Sequence, residues 1–331
     1  MKIIDLSGYM FSGKTAVSDI LREFDCLHVP NYRIEFDLLR MPGGLIDLKH
    51  AVIDWSPVRS YAAVCRFDKL VNTLALSPRF PLKLYKTGFG YAKRYPNIVR
   101  LKDEFLRSIK VVEWDTPWPY ADIDDGPLDT FIRKCYSKLS ISKPRNYFLV
   151  SKELFMQSAQ KFIQGLLVDG NDGIQPNVVV THNALEPFSP SDNVDLLGED
   201  ALSIVVDRDP RDIYATAITT QVDFNDNLQL YRQIAGAHDV EIFIKRYLSY
   251  RGNININSER VLRLSFSDVV LNYSETLQKI CDFSGLTLSQ QTRKKEYFSP
   301  EKSIINLDIW KQKELASFAS DFALIDASCN V

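Results

Sequence analysis

Residues 8–15 read Gly8-Tyr9-Met10-Phe11-Ser12-Gly13-Lys14-Thr15, a complete G-x-x-x-x-G-K-[ST] run. Lys2 to Ser7 before it has the length and apolarity of a buried strand. Val17, Ile20, Leu21 and Phe24 after it fall at i, i+3, i+4 and i+7, which predicts a helix from Lys14 to Phe24. Strand, tight glycine turn and helix in this order form the opening of a βαβ unit. Glycines let the turn wrap so that successive amides point at one place, and the helix N-terminus adds its dipole there. Lys14 adds a full positive charge and Thr15 a hydroxyl. The combination is suited to phosphate oxygens and assigns Ser12, Gly13, Lys14, Thr15 and Ala16 to phosphate binding. By itself the run does not separate a nucleotide kinase or triphosphatase from other users of such a loop.

Further strands are expected at Cys26–Val29, Val178–Val180, Leu202–Val206 and Val261–Leu264. Helices are expected from Ser151 to Val168, with Ser151 as N-cap, and from Ser267 to Phe283, ended by Gly285. Strands alternating with helices predict an α/β fold, a P-loop-type parallel β-sheet flanked by helices. A length of 331 residues would suit about two domains. No linker divides the chain, however, and residues 31–143 lack clear periodicity. The expectation is a single domain over 1–331, with 31–150 a long, largely helical insertion between core strands.

Charge excludes a generic polyanion binder: 40 Lys+Arg against 42 Asp+Glu leave a net −2. The five cysteines are odd in number and scattered, with no CxxC pair, and the four histidines form no HExxH pattern. Neither a disulfide framework nor a metal site is expected. No apolar run reaches the ~18 residues of a membrane span. Lys2-Ile3-Ile4-Asp5-Leu6-Ser7 is too short for a signal-peptide core. Reduced thiols and these absences predict a cytoplasmic protein.

A second informative stretch is Val206-Asp207-Arg208-Asp209-Pro210-Arg211-Asp212. A buried strand ends at Asp207. Asp209 stands at an N-cap position, Pro210 at the first helical position and Asp212 at N3. Arg208 therefore sits at the carboxyl end of a parallel strand, where open α/β sheets bind ligands. Arg208 and Thr216, eight apart, are placed to reach one phosphate. An alternative treats Ile204–Asp207 as a strand whose Asp207 holds magnesium in a nucleotide-dependent kinase.

In three segments the chain resembles the sulfotransferases that use 3′-phosphoadenosine 5′-phosphosulfate (PAPS). Phe11-Ser12-Gly13-Lys14-Thr15 is similar to their 5′-phosphosulfate loop, K-S-G-T-T. Val206 to Thr216 resembles the 3′-phosphate motif R-[ND]-P-[RK]-D-x-x-x-S, with Arg208 at the arginine and Thr216 at the serine. Leu264 to Leu286 is similar to their "YEDL…FLGL" stretch. A fourth, looser match is Ser303 to Lys311, which resembles a "GxW[KR]" loop that closes over the cofactor and brings in Lys302, Ser303, Trp310 and Lys311. The resemblance covers 1–24 and 177–312 and implies PAPS as donor and PAP as product. The chain departs from it at Phe11, where the family has its catalytic lysine. Lys14 is the nearest substitute.

The resemblance also implies a general base. Val180-Thr181-His182 is similar to the "K-T-H" segment of cytosolic members, whose His is the base. Glu35 lies 24 residues after Phe11, as does the catalytic glutamate of heparan-type members. His182 is taken first and Glu35 second. Residues 79–110 hold nine basic residues against Asp103 and Glu104, with six aromatics interleaved. Aromatics stack on sugar faces and cations pair with anions. This stretch is expected to help bind a small-molecule or glycan acceptor, unless it is a solvated face balanced by the acidic stretch 113–129. No nucleic-acid module is present. Sulfuryl transfer to an acceptor hydroxyl or amine, carbohydrate first, is the leading expectation. A kinase and a non-catalytic nucleotide-binding protein are the alternatives.

Overall fold

The computed structural model describes residues 1–30, 35–54, 56–79, 82, 87–115, 126–139, 146–171, 173, 176–219, 228–252 and 258–329. Along the chain, β1 (Lys2–Gly8), α1 (Lys14–Arg22) and β2 (Leu27–His28) come first. Then follow α2 (Leu45–Ile53), α3 (Pro57–Ala75), α4 (Ile98–Ile109), β3 (Lys110–Asp115), α5 (Pro127–Lys138), β4 (Asn146–Val150) and α6 (Lys152–Asp169). The last part holds β5 (Val178–His182), β6 (Leu202–Asp207), α7 (Pro210–Thr219), α8 (Leu228–Ala235), α9 (Val240–Gly252) and β7 (Val261–Ser265). It ends with α10 (Phe266–Leu271), α11 (Tyr273–Ser284), α12 (Pro300–Ser303) and α13 (Ala319–Cys329). The chain divides into two compact units, Met1–Arg40 with Ile174–Val331, and Met41–Gly173.

The first unit is a mixed α/β structure around a five-stranded sheet in the order β2-β5-β1-β6-β7, every pairing parallel. Helices cover both faces, so its strands read as apolar runs and not as alternations. Ile3, Ile4 and Leu6 of β1 are fully buried, as are Val179 and Val180 of β5 and Ile204 to Val206 of β6. One core joins Ile4, Leu6, Val17, Leu21 and Phe24 to Val269 and Ile280. The other gathers Tyr9, Ile213, Tyr214, Phe243, Tyr247 and Phe322. Because β5, β1 and β6 are neighbours and parallel, their carboxyl ends open on the same edge. That edge carries the Gly8–Gly13 turn, the residues after His182 and Arg208 together. Strand order reverses about β1, the switch point at which such sheets form a crevice.

The helix expected over 267–283 is two helices, α10 and α11, parted at Asn272, whose φ −115 and ψ 42 are not helical. The backbone turns there because Asp268 draws both ends inward: its carboxylate accepts from Asn272 Nδ2 at 2.9 Å and its carbonyl from Thr276 Oγ1 at 3.0 Å. Gly285, at φ 71, ends α11 as expected.

The second unit packs α2, α3, α4 and α6 with the antiparallel pair β3–β4. Phe67, Phe105 and Phe162 form its aromatic centre, with ring centroids 5.8 Å (Phe67–Phe105) and 5.3 Å (Phe105–Phe162) apart. Ser151 caps α6, accepting the Leu154 N–H at 3.1 Å. No described helix is long and apolar enough to cross a membrane. The described cysteines, all five, are free thiols.

Candidate active site

The turn after β1 is forced by close contacts. A Cβ on Gly8 would lie 2.3 Å from Ser12 Oγ and 2.8 Å from the Val206 carbonyl, so glycine lets β1 run beside β6 and the loop fold back. Gly13 has φ 91, and a Cβ there would lie 2.4 Å from the Phe266 ring. Phe11 also takes a left-handed φ of 61. The Ser12 N–H closes the turn on the Tyr9 carbonyl at 3.0 Å, and the Ala16 N–H bonds the Gly13 carbonyl at 2.9 Å. The amides of Ser12 and Ala16 are thus spent inside the loop. Lys14 and Thr15 begin α1, so their N–H groups have no acceptor within the helix. Ser12 Oγ is buried and has no hydrogen-bond partner. Thr15 is exposed.

Arg208 meets this loop. Asp209 caps α7 by accepting the Arg211 N–H at 2.8 Å, as its N-cap position predicts, and this fixes the residue before it at the end of β6. The Arg208 guanidinium donates to the Phe11 carbonyl at 2.9 Å, to Thr216 Oγ1 at 3.3 Å and to the Asn306 carbonyl. It also lies over the Phe266 ring, 5.1 Å from its centroid. Burial pulls its pKa down, opposed by Asp212 and Asp209. Asp212 accepts the Asp308 N–H at 3.1 Å and the Trp310 N–H at 3.4 Å, and burial holds its carboxyl above the usual range. One arginine therefore ties together three distant segments, and one aspartate pins the third.

The third segment is a strap, residues 299–311. Lys302 is exposed and Ser303 half-buried on α12. It is Asn306, through its carbonyl, and not either of these that meets Arg208. Trp310 lies under the Arg211 guanidinium at 4.4 Å, and Lys311 pairs with Asp308 at 3.0 Å. The strap's start is held by Glu23, a fully buried residue that accepts the Phe298 N–H at 3.0 Å and the Gln291 side chain at 2.7 Å. No sequence pattern singled out Glu23 or Asn306. Glu23 stands out only as a charge in the last turn before an apolar strand.

The two base candidates occupy different surroundings. His182 ends β5 and is 5% exposed, with its carbonyl accepting the Phe36 N–H at 2.9 Å. The side chain of Glu35 is 39% exposed, and its carboxylate is held from both sides: Arg40 donates to Oε2 at 2.6 Å and Asn183 to Oε1 at 2.5 Å. Arg40 also bonds Asp37. Burial pulls the Lys14 ammonium below its ordinary pKa. Of its charged neighbours Glu35 acts most strongly and opposes the drop, Arg40 reinforces it, and Asp5 and Asp37 oppose it. Lys14 and Glu35 thus belong to one electrostatic cluster. Arg40, Asn183 and Asp5 are members of it that sequence reasoning missed.

Asp207 lies between Arg251 at 3.1 Å and Arg263 at 3.3 Å. Two guanidinium groups neutralise the carboxylate that a magnesium-binding role would require. Among the described residues no group of three or more His, Cys, Asp and Glu is placed to hold a metal ion.

Residues 79–110 belong to the second unit. Tyr95 and Phe105 are core residues there, and Lys102 is a buried ammonium paired with Asp68 and, at 2.8 Å, with Asp103. Arg100 pairs with Glu104 at 2.7 Å. Phe89 is exposed, as are Arg79, Lys93 and Arg107. Phe80, Lys83, Tyr85 and Lys86 lie outside the described residues, as do Asp122, Asp124 and Asp125 of the acidic stretch.

No family model matches the chain, and no curated protein matches it. Solved structures do. The chain is similar to the sulfotransferase domain of the Synechococcus PCC 7002 olefin synthase, at 14% identity and a TM-score of 0.43 over 100% of this chain and 94% of that one. It is similar also to the sulfotransferase domain of the curacin biosynthetic pathway, at 12% identity and 0.40 over 99% and 97%. Sulfotransferase STF9 from Mycobacterium avium matches at 12% identity and 0.37 over 98% and 75%.

Proposed function

We propose that this chain transfers a sulfuryl group from PAPS to an acceptor hydroxyl at the carboxyl edge of its parallel sheet. The observation that carries this is the Arg208 contact set. The same guanidinium meets the glycine loop at Phe11 and the hydroxyl of Thr216. A ligand with phosphates at two positions would use both elements at once, and PAPS is such a ligand. The donor set fits it: the buried, unpartnered Ser12 hydroxyl, the first amides of α1, the Lys14 ammonium, and the Arg208–Thr216 pair. The strap with Trp310 and Lys311 borders the Arg208 end.

The roles follow from charge. As the S–O bond to the leaving phosphate breaks, negative charge grows on that phosphate, and Lys14 with the α1 N-terminus stabilises it. Phe11, at the position the family gives to lysine, contributes only its carbonyl, which holds Arg208. The acceptor oxygen forms the new S–O bond and releases its proton to Glu35. Glu35 takes this role ahead of His182 because its carboxylate is more exposed and shares the electrostatic cluster of Lys14. The carbohydrate class of the acceptor rests on the sequence of residues 79–110 alone.

The kinase reading is disfavoured by the arginines on Asp207. Thermal-shift titration separates the readings, since a ligand that binds the native state raises Tm. PAP with EDTA raises Tm under this proposal. A rise with ATP and magnesium but none with PAP would overturn it.

A further inference from the structure

We infer that Asn183 is a positioning residue, whose side-chain amide fixes the Glu35 carboxylate for proton abstraction, and that Asp5 fixes Asn183 by holding the turn in which it sits. This rests on the reading of Glu35 as the base.

The geometry runs outward from β1. Asp5 is fully buried in the middle of that strand and accepts four hydrogen bonds. Two come from side chains, Ser7 Oγ at 2.6 Å and Thr181 Oγ1 at 2.8 Å. Two come from backbone, the Ala184 N–H at 2.9 Å and the Leu185 N–H at 3.2 Å. A carboxylate buried in an apolar sheet is costly unless it is saturated with donors, and three of the four donors here, Thr181, Ala184 and Leu185, lie on either side of Asn183. Its burial still raises its pKa, with the four donors opposing. The Asn183 N–H in turn bonds the Leu6 carbonyl at 2.9 Å, continuing the β1–β5 ladder by one step.

Asn183 has φ 50. Asparagine and glycine are the residues that enter this left-handed region at least cost. The turn drives the Asn183 side chain sideways from the strand end, 5% exposed, onto Glu35 Oε1 at 2.5 Å. Arg40 takes the other oxygen. Glycine would satisfy the backbone equally well, so the side chain is what distinguishes asparagine at this position. A carboxylate held on both oxygens cannot rotate about its last torsion, and proton abstraction depends on that orientation. The Asn183 backbone is carried without its side chain: its N–H bonds the Leu6 carbonyl, and the two following N–H groups bond Asp5.

The test uses Asn183→Gly in the full chain, which keeps the left-handed turn and deletes the amide. Asn183→Asp, which keeps the side-chain size and replaces the donor by an acceptor, is the second variant should the first fail to fold. Transfer from PAPS to the hydroxyls of a simple alkyl glycoside, whose high pKa makes removal of the proton depend on a base, is expected to lose roughly 10- to 100-fold in kcat, with the PAPS KM unchanged, in line with a misplaced general base. In a Glu35→Gln background the same substitution is expected to cost nothing further, because it acts through Glu35. An unchanged kcat, or a loss that multiplies that of Glu35→Gln, would overturn the positioning role. If Glu35→Gln itself keeps full kcat, the base assignment fails first and takes this one with it. A second readout needs no acceptor: the Lys14 titration, followed by NMR of 13C-labelled lysine. Glu35 supports the Lys14 charge, so Glu35→Gln lowers the Lys14 pKa, and Asn183→Gly should move it part of the way in the same direction. An unmoved Lys14 in Asn183→Gly would contradict the inference whatever the acceptor.

Discussion

Under the proposed function, the phosphate side and the proton side of the crevice are built by different means. On the phosphate side the groups are local in sequence. Ser12, Lys14 and Thr15 share one turn, and Arg208 and Thr216 share one strand–helix junction. On the proton side, the groups come from three separate segments, Asp5, Glu35 with Arg40, and Asn183, and the Asn183–Glu35 bond spans 148 residues. Local motifs carry their own geometry because turn, cap and helix dipole fix it within one or two turns of chain. A long-range cluster exists only once β5 has paired with β1.

The contrast can be broken at several points. Glu35→Gln should cost the most, roughly 10²- to 10⁴-fold in turnover with PAP affinity unchanged. His182→Gln should cost less, and the reverse order in a kinetic comparison would move the base to the end of β5. Gly13→Ala should destabilise the first unit by about 2–4 kcal/mol in urea denaturation, from a strained φ plus a clash with Phe266. A loss under about 1 kcal/mol would show that Phe266 yields freely. Arg208→Ala should weaken PAP binding by roughly 30- to 150-fold in calorimetry, the equivalent of ~2–3 kcal/mol from charge-assisted hydrogen bonds. The smallest effect belongs to the second unit. Ser151→Ala removes the α6 cap and should cost about 1 kcal/mol of stability without changing PAP affinity.

The same division explains what the sequence reveals. Strands β1, β5 and β6 are buried, mostly apolar runs because both faces of the sheet are covered there, and they are visible as such; the half-buried edge strand β7 is visible from Val261, Leu262 and Leu264. The caps at Ser151 and Asp209 and the stop at Gly285 are chemical signals within a few residues. The break at Asn272 is hidden, since the apolar stripe continues through it while Asp268 redirects the backbone. Helix α3 buries Tyr61, Val64, Phe67, Val71 and Leu74 at helical spacing, but the aromatic and charged residues between them blur the stripe. Asp5 and Glu23 read as ordinary charges until the fold surrounds them with donors. The basic stretch 79–110 shows the opposite effect: Lys102, Tyr95 and Phe105, which suggested a binding surface, are spent on packing within the second unit.

The most direct measurement compares PAP with 5′-AMP, which lacks the 3′-phosphate, by calorimetry in EDTA on wild type and Arg208→Ala. If the glycine loop and the Arg208–Thr216 pair form one site for a doubly phosphorylated nucleotide, PAP binds wild type at least roughly 30-fold more tightly than 5′-AMP, and Arg208→Ala erases the difference. Equal affinities for the two nucleotides, or a preference that survives the loss of Arg208, would contradict the account.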